Sequence, residues 1–138
     1  MIKPKVLFLC TRNSCRTQMA EAMLRDLAGE RFEITSAGNE ETPIDPAAVH
    51  AMREIGIDIS GQEPKDVGRF LGMRFTYLIS LCDRQNERTC PIVPGAIWRL
   101  EWDIANPALA ESPEEHSKAV RRARDQIRGK VIEFVDNN

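Results

Sequence analysis

The sequence has little that would carry it to a membrane or to nucleic acid. Near its start the apolar run is only Val6 to Cys10, too short for the hydrophobic region of a signal peptide and far too short to span a bilayer. No later stretch is long enough either, so a cytoplasmic protein without membrane contact is expected. A basic excess is also missing, with 19 basic against 21 acidic residues. That argues against a nucleic-acid binder. The one basic group, Arg121, Arg122 and Arg124, reads as a solvated helix face. Cys-x2-Cys and His-x3-His spacings are absent, which disfavours a zinc site, and no metal is expected. No repeat, low-complexity stretch or linker divides the chain. Residues 1–138 therefore read as one domain, large enough to bury a core without staples.

What is present alternates between strand and helix. Lys5 to Leu9 is a continuous apolar run, as in a parallel strand buried on both faces. Met19, Met23 and Leu27 give Ser14 to Ala28 a helical period, closed by Gly29. Phe32 to Thr35 reads as a second strand. Asp45 and Pro46 form an N-cap and first-turn proline, followed by the apolar face Val49, Met52, Ile55 and a stop at Gly56. A short helix is expected around Val67 to Leu71. Phe75 to Leu81 is a third buried strand. Ala96 to Trp102 alternates, with Trp98, Leu100 and Trp102 on one side, as in an edge strand. Ser112, Pro113 and Glu115 start a last helix striped by Val120, Ala123, Ile127, Val131 and Phe134. The pattern is that of a three-layer α/β sandwich around a parallel sheet, with ligands beyond the carboxyl ends of the strands.

Cys10 falls at such an end. Thr11 to Arg16 (TRNSCR) follows, then a helix. A helix start offers free backbone N–H groups and a positive dipole end, so it suits an anion. Arg16 adds a two-pronged donor for a tetrahedral oxyanion. The same field should lower the Cys10 pKa and make it a thiolate nucleophile. Ser14 and Thr17 offer hydroxyls, and Asn13 can lock the loop by bonding to backbone groups. The bland alternative is a small buried cysteine ending a strand beside a polar cap. Four cysteines in a reducing compartment are more often catalytic, redox-active or metal-binding than structural staples.

Cys10 to Ala22 (CTRNSCRTQMAEA) resembles the low-molecular-weight tyrosine phosphatase fold, and within it the thioredoxin-coupled arsenate reductases. The resemblance continues through Ser36-Ala37-Gly38, Ala51 to Ser60, Ile79 to Asp83, Cys90-Pro91, and Trp102 to Pro107. It implies a four-stranded parallel sheet in the order 2-1-3-4, flanked by helices. It also implies an oxyanion loop made of Thr11, Arg12, Asn13, Ser14, Cys15, Arg16 and Thr17, with arsenate as substrate and sulfate or phosphate as analogues.

Phosphatases of this fold need one cysteine, and here Cys82 ends the third strand with Cys90 eight positions later. If strands one and three are neighbours, their ends lie about 5 Å apart, within reach of a disulfide. Residues 83 to 89 (DRQNERT) are polar. In a loose helical turn they would hold Cys82 and Cys90 roughly 12 Å apart, unable to bond until the segment unwinds. The family cycle runs from Cys10 attack on arsenate, to a Cys10–Cys82 disulfide with arsenite release, to a Cys82–Cys90 disulfide that thioredoxin reduces. Cys15 reads as a packing residue. Inert core cysteines are the alternative for Cys82 and Cys90. His50 and His116 read as surface residues. No cofactor is called for, and the chain is expected to be monomeric.

The pattern departs from the family in three places. Phosphatases carry an aspartic acid before the proline that matches Pro107; here it is Asn106, with Asp103 the nearest carboxylate. A tyrosyl leaving group needs that acid, whereas arsenate brings its own proton. Arg12 replaces a frequent glycine and is either an anion-attracting cation at the mouth or a solvated side chain. Some relatives bind potassium with Asn, Glu, Ser and Asp. Asn13, Glu21 and Ser36 match, but Lys65 takes the acidic place, with Asp66 beside it, so an ammonium could replace the ion. The expected activity is arsenate reduction. A tyrosine phosphatase using Cys10 and Arg16 is the alternative, and a non-enzymatic anion-binding or redox-sensing module the third reading.

Overall fold

A computed structural model describes residues 2–40 and 42–138. Four parallel strands, β1 (Lys5–Arg12), β2 (Glu33–Glu40), β3 (Phe75–Ser80) and β4 (Ala96–Glu101), lie in the order β2-β1-β3-β4. Three α-helices accompany them: α1 (Arg16–Ala28), α2 (Pro46–Arg53) and α3 (Pro113–Asn137). The expected order and class hold.

The core explains the arrangement. One face of the sheet presents Val6, Phe8, Ile79 and Leu81 to Met19, Met52, Ile127 and Phe134 from the three helices. The α3 stripe read from the sequence is buried throughout. Phe134 sits among Phe32, Tyr77 and Trp102, with ring centroids 5.0 to 6.4 Å away. Such an aromatic cluster contributes beyond its area alone. The other face presents Leu7, Leu9, Phe75 and Leu78 to Val93, Val67 and Phe70. Its cover is the 3-10 helix Val67–Phe70 plus loop.

Two strands run further than the sequence implied. β1 continues through Cys10 to Arg12, because Cys10 pairs with Gly38 and Arg12 with Glu40. β2 likewise continues past Thr35 to Glu40, and both extensions lack large apolar side chains, so long-range pairing makes them strands. Helix α1 starts two residues later than expected, at Arg16, with Cys15 as its N-cap. β4 stops one residue before the expected Trp102, which is buried just beyond it, whereas Trp98, expected on the same side, is 60% exposed on this edge strand. The α2 start is as read: Asp45 accepts from the Ala47 amide at 2.9 Å, with Pro46 at the first position. Ser112 caps α3 through the Glu115 amide at 3.1 Å.

Arg124 is not part of a solvated face. It is buried and donates to the Ala51 carbonyl at 2.8 Å and to Glu54 at 2.6 Å, which ties α3 to the end of α2. Among the described residues no helix is long and apolar enough to cross a membrane.

Candidate active site

β1 delivers Cys10 to the carboxyl edge of the sheet, and residues 13–15 turn the chain into α1. The turn is fixed by Asn13, which is fully buried. Its Nδ2 donates to Thr17 Oγ1 and to Ser36 Oγ, both at 2.9 Å. Its Oδ1 accepts from Gln18 Nε2 and from the Lys65 amide, both at 2.8 Å. Asn13 thus locks the loop as its type suggested, but it faces inward and not toward an anion. Gly38 lets the loop lie close: a Cβ there would sit 2.7 Å from the Asn13 nitrogen and 2.9 Å from the Arg12 carbonyl carbon.

Thr11, Arg12, Ser14, Cys15 and Arg16 line one cavity of about 620 Å³, which also takes in Glu87, Asn106 and His116. Arg12 stands at its mouth, 3.5 Å from Glu40. The Thr11 hydroxyl is buried and has no partner among the described residues. Cys15 is a buried free thiol pushed up in pKa by that burial, which suits a packing role. Asp103 lies outside this cavity; its Oδ1 accepts from the Arg84 amide at 3.0 Å.

Cys10 is a free, fully buried thiol. The expected thiolate is corrected here: burial pushes its pKa up, outweighing Arg16 and the Thr17 hydroxyl 3.4 Å away, while Glu87 adds to the rise. The thiol donates to the Arg12 carbonyl. The helix field was foreseen and burial was weighed as the alternative, whereas the nearby carboxylate was not foreseen.

Cys82 and Cys90 are joined in a disulfide, with Cα atoms 6.1 Å apart. The intervening segment is a set of turns, with the Glu87 amide bonded to the Asp83 carbonyl at 2.7 Å, and it leaves the two cysteines within bonding distance. β1 and β3 are hydrogen-bonded neighbours through Leu9 and Ser80, and the Leu81 amide donates to Leu9 at 2.8 Å. Cys10 and Cys82 therefore leave adjacent strand ends. Ser80 Oγ lies 3.1 Å from Cys90 Sγ.

Three residues that sequence reasoning missed shape this site. Glu87, between the two cysteines, forms a two-pronged pair with Arg16, its Oε2 2.9 Å from one guanidinium nitrogen and its Oε1 bonded to the other. Asp83 is buried and accepts from the Asn106 amide at 3.0 Å and from Asn86 at 2.8 Å. His116 is half-buried and not a surface residue. Its Nε2 lies 2.6 Å from Asp45 and its Nδ1 2.8 Å from the Pro107 carbonyl. Burial opposes its charge, but those two acceptors raise its pKa above the ordinary value. Nothing in the spacing of a lone acid or histidine marks such partners. His50, by contrast, is exposed as read.

The cysteine–arginine loop at a strand end, on a 2-1-3-4 sheet, is matched by the model of the low molecular weight phosphotyrosine protein phosphatase family over residues 5–136. The chain belongs to this family. Within it, the chain is 39% identical over 137 residues to an arsenate reductase of Halalkalibacterium halodurans, covering 99% of this chain and 98% of that one. A solved arsenate reductase in a phosphate-binding state superposes with a TM-score of 0.78 at 32% identity, covering 99% and 98% of the two chains. A thioredoxin-dependent arsenate reductase of Corynebacterium glutamicum matches with a TM-score of 0.69 at 28% identity, over 98% of this chain and 61% of that one.

Proposed function

We propose that this family member reduces arsenate to arsenite, with Cys10 as nucleophile and a Cys10–Cys82–Cys90 relay emptied by thioredoxin. The observation that carries the reading is the Cys82–Cys90 disulfide beside a free Cys10 in the arginine loop. A phosphatase has no use for that bond.

In the active, reduced form Arg16 and the loop amides hold arsenate against Cys10, and the bound oxyanion replaces water. Cys10 forms a sulfur–arsenic bond as a protonated arsenate oxygen leaves as water. Cys82 then attacks the Cys10 sulfur. The sulfur–sulfur bond forms, the sulfur–arsenic bond breaks, and its electron pair stays on arsenic, which leaves as arsenite. Cys90 attacks Cys82 and expels Cys10 as a thiolate. The dithiol of thioredoxin reduces the outward disulfide and closes the cycle. The site residues are Cys10, Arg16, Cys82 and Cys90, with Thr11 to Thr17 as the oxyanion cradle.

Asn106 supplies no acidic proton, and its backbone amide serves Asp83. Arsenate needs no acid there, because its own hydroxyl leaves. The reaction is placed in the cytoplasm, where thioredoxin keeps disulfides transient, in a monomeric chain acting as one domain. The deciding experiment is arsenite production from arsenate with thioredoxin, thioredoxin reductase and NADPH. Hydrolysis of an aryl phosphate without any arsenite formation would replace this reading with the phosphatase one.

A further inference from the structure

We propose that Glu87 is a built-in competitor for the oxyanion. When Cys82 and Cys90 are joined, its carboxylate takes the Arg16 guanidinium and shuts the loop to arsenate; reduction of that bond opens it. The inference rests on the reading of the Cys10 to Arg16 loop as an oxyanion site.

The geometry has the form of substrate recognition turned inward. A carboxylate and a tetrahedral oxyanion both present two oxygens to a planar guanidinium, so they compete for the same fork. Glu87 uses both guanidinium nitrogens, and its side chain is only 7% exposed. The nitrogen bonded to Glu87 Oε1 has one further N–H, and the Leu81 and Ile104 carbonyls share it, at 3.0 and 3.1 Å. These bonds leave the fork itself as the part that an anion can contest.

The disulfide is what brings the carboxylate there. Glu87 sits inside the ring closed by Cys82 and Cys90. Its amide donates to the Asp83 carbonyl at 2.7 Å, and its Oε1 accepts from the Asp83 amide at 2.6 Å. Asp83 is bonded in turn to Asn106, and Arg84 to Asp103. The closed ring is thus pinned against the loop, which gives Glu87 a high effective concentration at Arg16. Opening the ring releases one of its two ends, and that advantage falls. Cys10 feels the same event, because a carboxylate on Arg16 cancels the charge that would favour its thiolate.

Two consequences serve the cycle. The spent enzyme does not capture arsenate before it has electrons to give. By linkage, an oxyanion that prefers the open form must also favour reduction of the ring. A tenfold preference corresponds to about 30 mV in the two-electron potential.

The test uses inorganic sulfate, titrated calorimetrically into the full chain in its Cys82–Cys90 oxidised and fully reduced forms. Wild type, Glu87→Gln and Glu87→Ala are compared, with thermal melts as the folding control. The oxidised wild type should bind sulfate at least about tenfold more weakly than the reduced form, the order expected for a tethered competitor. In the oxidised variants sulfate affinity should rise to near the reduced wild-type value. Peptide mapping should also show faster alkylation of Cys10 by iodoacetamide in oxidised Glu87→Gln than in oxidised wild type. Equal affinity in the two wild-type redox forms overturns the proposal, as does an oxidised Glu87→Gln that binds no better than oxidised wild type. A reduced protein that binds no sulfate removes the oxyanion site itself, and the competitor with it.

Discussion

The Lys65 ammonium lies 3.4 Å from the Glu21 carboxylate, in a network where Glu21 also accepts from Ser36 at 2.6 Å and Ser36 from Asn13 at 2.9 Å. A lysine therefore stands where the family resemblance suggested a potassium ion. The melting temperature of the wild type should be the same in potassium and sodium buffers of equal ionic strength. Lys65→Ala should lose roughly 1–3 kcal/mol in urea unfolding, since a buried carboxylate loses a partner. A potassium-specific rise in the wild-type melt would show that the ion still has a place.

Cys90→Ser should complete one turnover and stop. Neither attack by Cys10 nor attack by Cys82 involves residue 90, so arsenite should form once per chain and a Cys10–Cys82 disulfide should accumulate. Cys82→Ser should instead trap arsenic on the enzyme, and Cys10→Ser should be inert. Quench-flow arsenite yields and disulfide mapping by mass spectrometry read these states. Sustained thioredoxin-dependent turnover by Cys90→Ser would reduce the scheme to two cysteines.

His116 joins α3 to the Asp45 cap of α2 and to Pro107. Its folded pKa is raised by those acceptors against the effect of burial. The stabilisation it brings is therefore complete below the ordinary histidine pKa of about 6.5 and fades as pH rises through the folded value. His116→Ala should melt below wild type by the equivalent of about 1 kcal/mol near pH 5.5, after allowing for solvent screening. The gap should narrow by pH 9. A gap that widens with pH would reverse the assigned charge.

Gly38→Ala should cost roughly 1–3 kcal/mol, because the new methyl meets backbone atoms of Asn13 and Arg12 that cannot swing away. Sulfate affinity of the reduced protein should fall with it. Gly129→Ala is the control: nothing lies within 4 Å of the added carbon in helix α3. That change should stabilise by about 0.5–1 kcal/mol through helix propensity. Urea unfolding and sulfate titration of both variants check the contrast.

Much of this was legible because it is local. The Asp45-Pro46 start of α2, the Ser112 cap and the α3 stripe each follow from residues within a few positions of one another. The placement of Cys10 and Cys82 at the ends of adjacent strands followed from the apolar runs before them, while the pairing of Cys82 with Cys90 was implied by the family resemblance. The extension of β1 to Arg12 was not, because its partners Gly38 and Glu40 lie on another strand. The Arg16–Glu87 pair was invisible for the same reason, spanning 71 positions. The Cys10 ionisation was misjudged because the helix field can be read from order along the chain, whereas burial arises only when the layers pack. Arg124 looked like surface because its partners, the Ala51 carbonyl and Glu54, belong to the far end of α2.

The bond between the Asn106 amide and Asp83 bears on how the two trades of this fold diverge. In a phosphatase of this kind the residue before the proline is an acid that gives up a proton. Here the same few atoms anchor the ring that carries electrons, and the side chain caps the turn through the Ala108 amide at 3.1 Å. A carboxyl group placed there would line the same cavity as Glu87, where like charges repel. Holding the redox ring in place and supplying a proton donor thus make opposing electrostatic demands on one corner of the molecule. A chain that adopts the first is pushed away from the second.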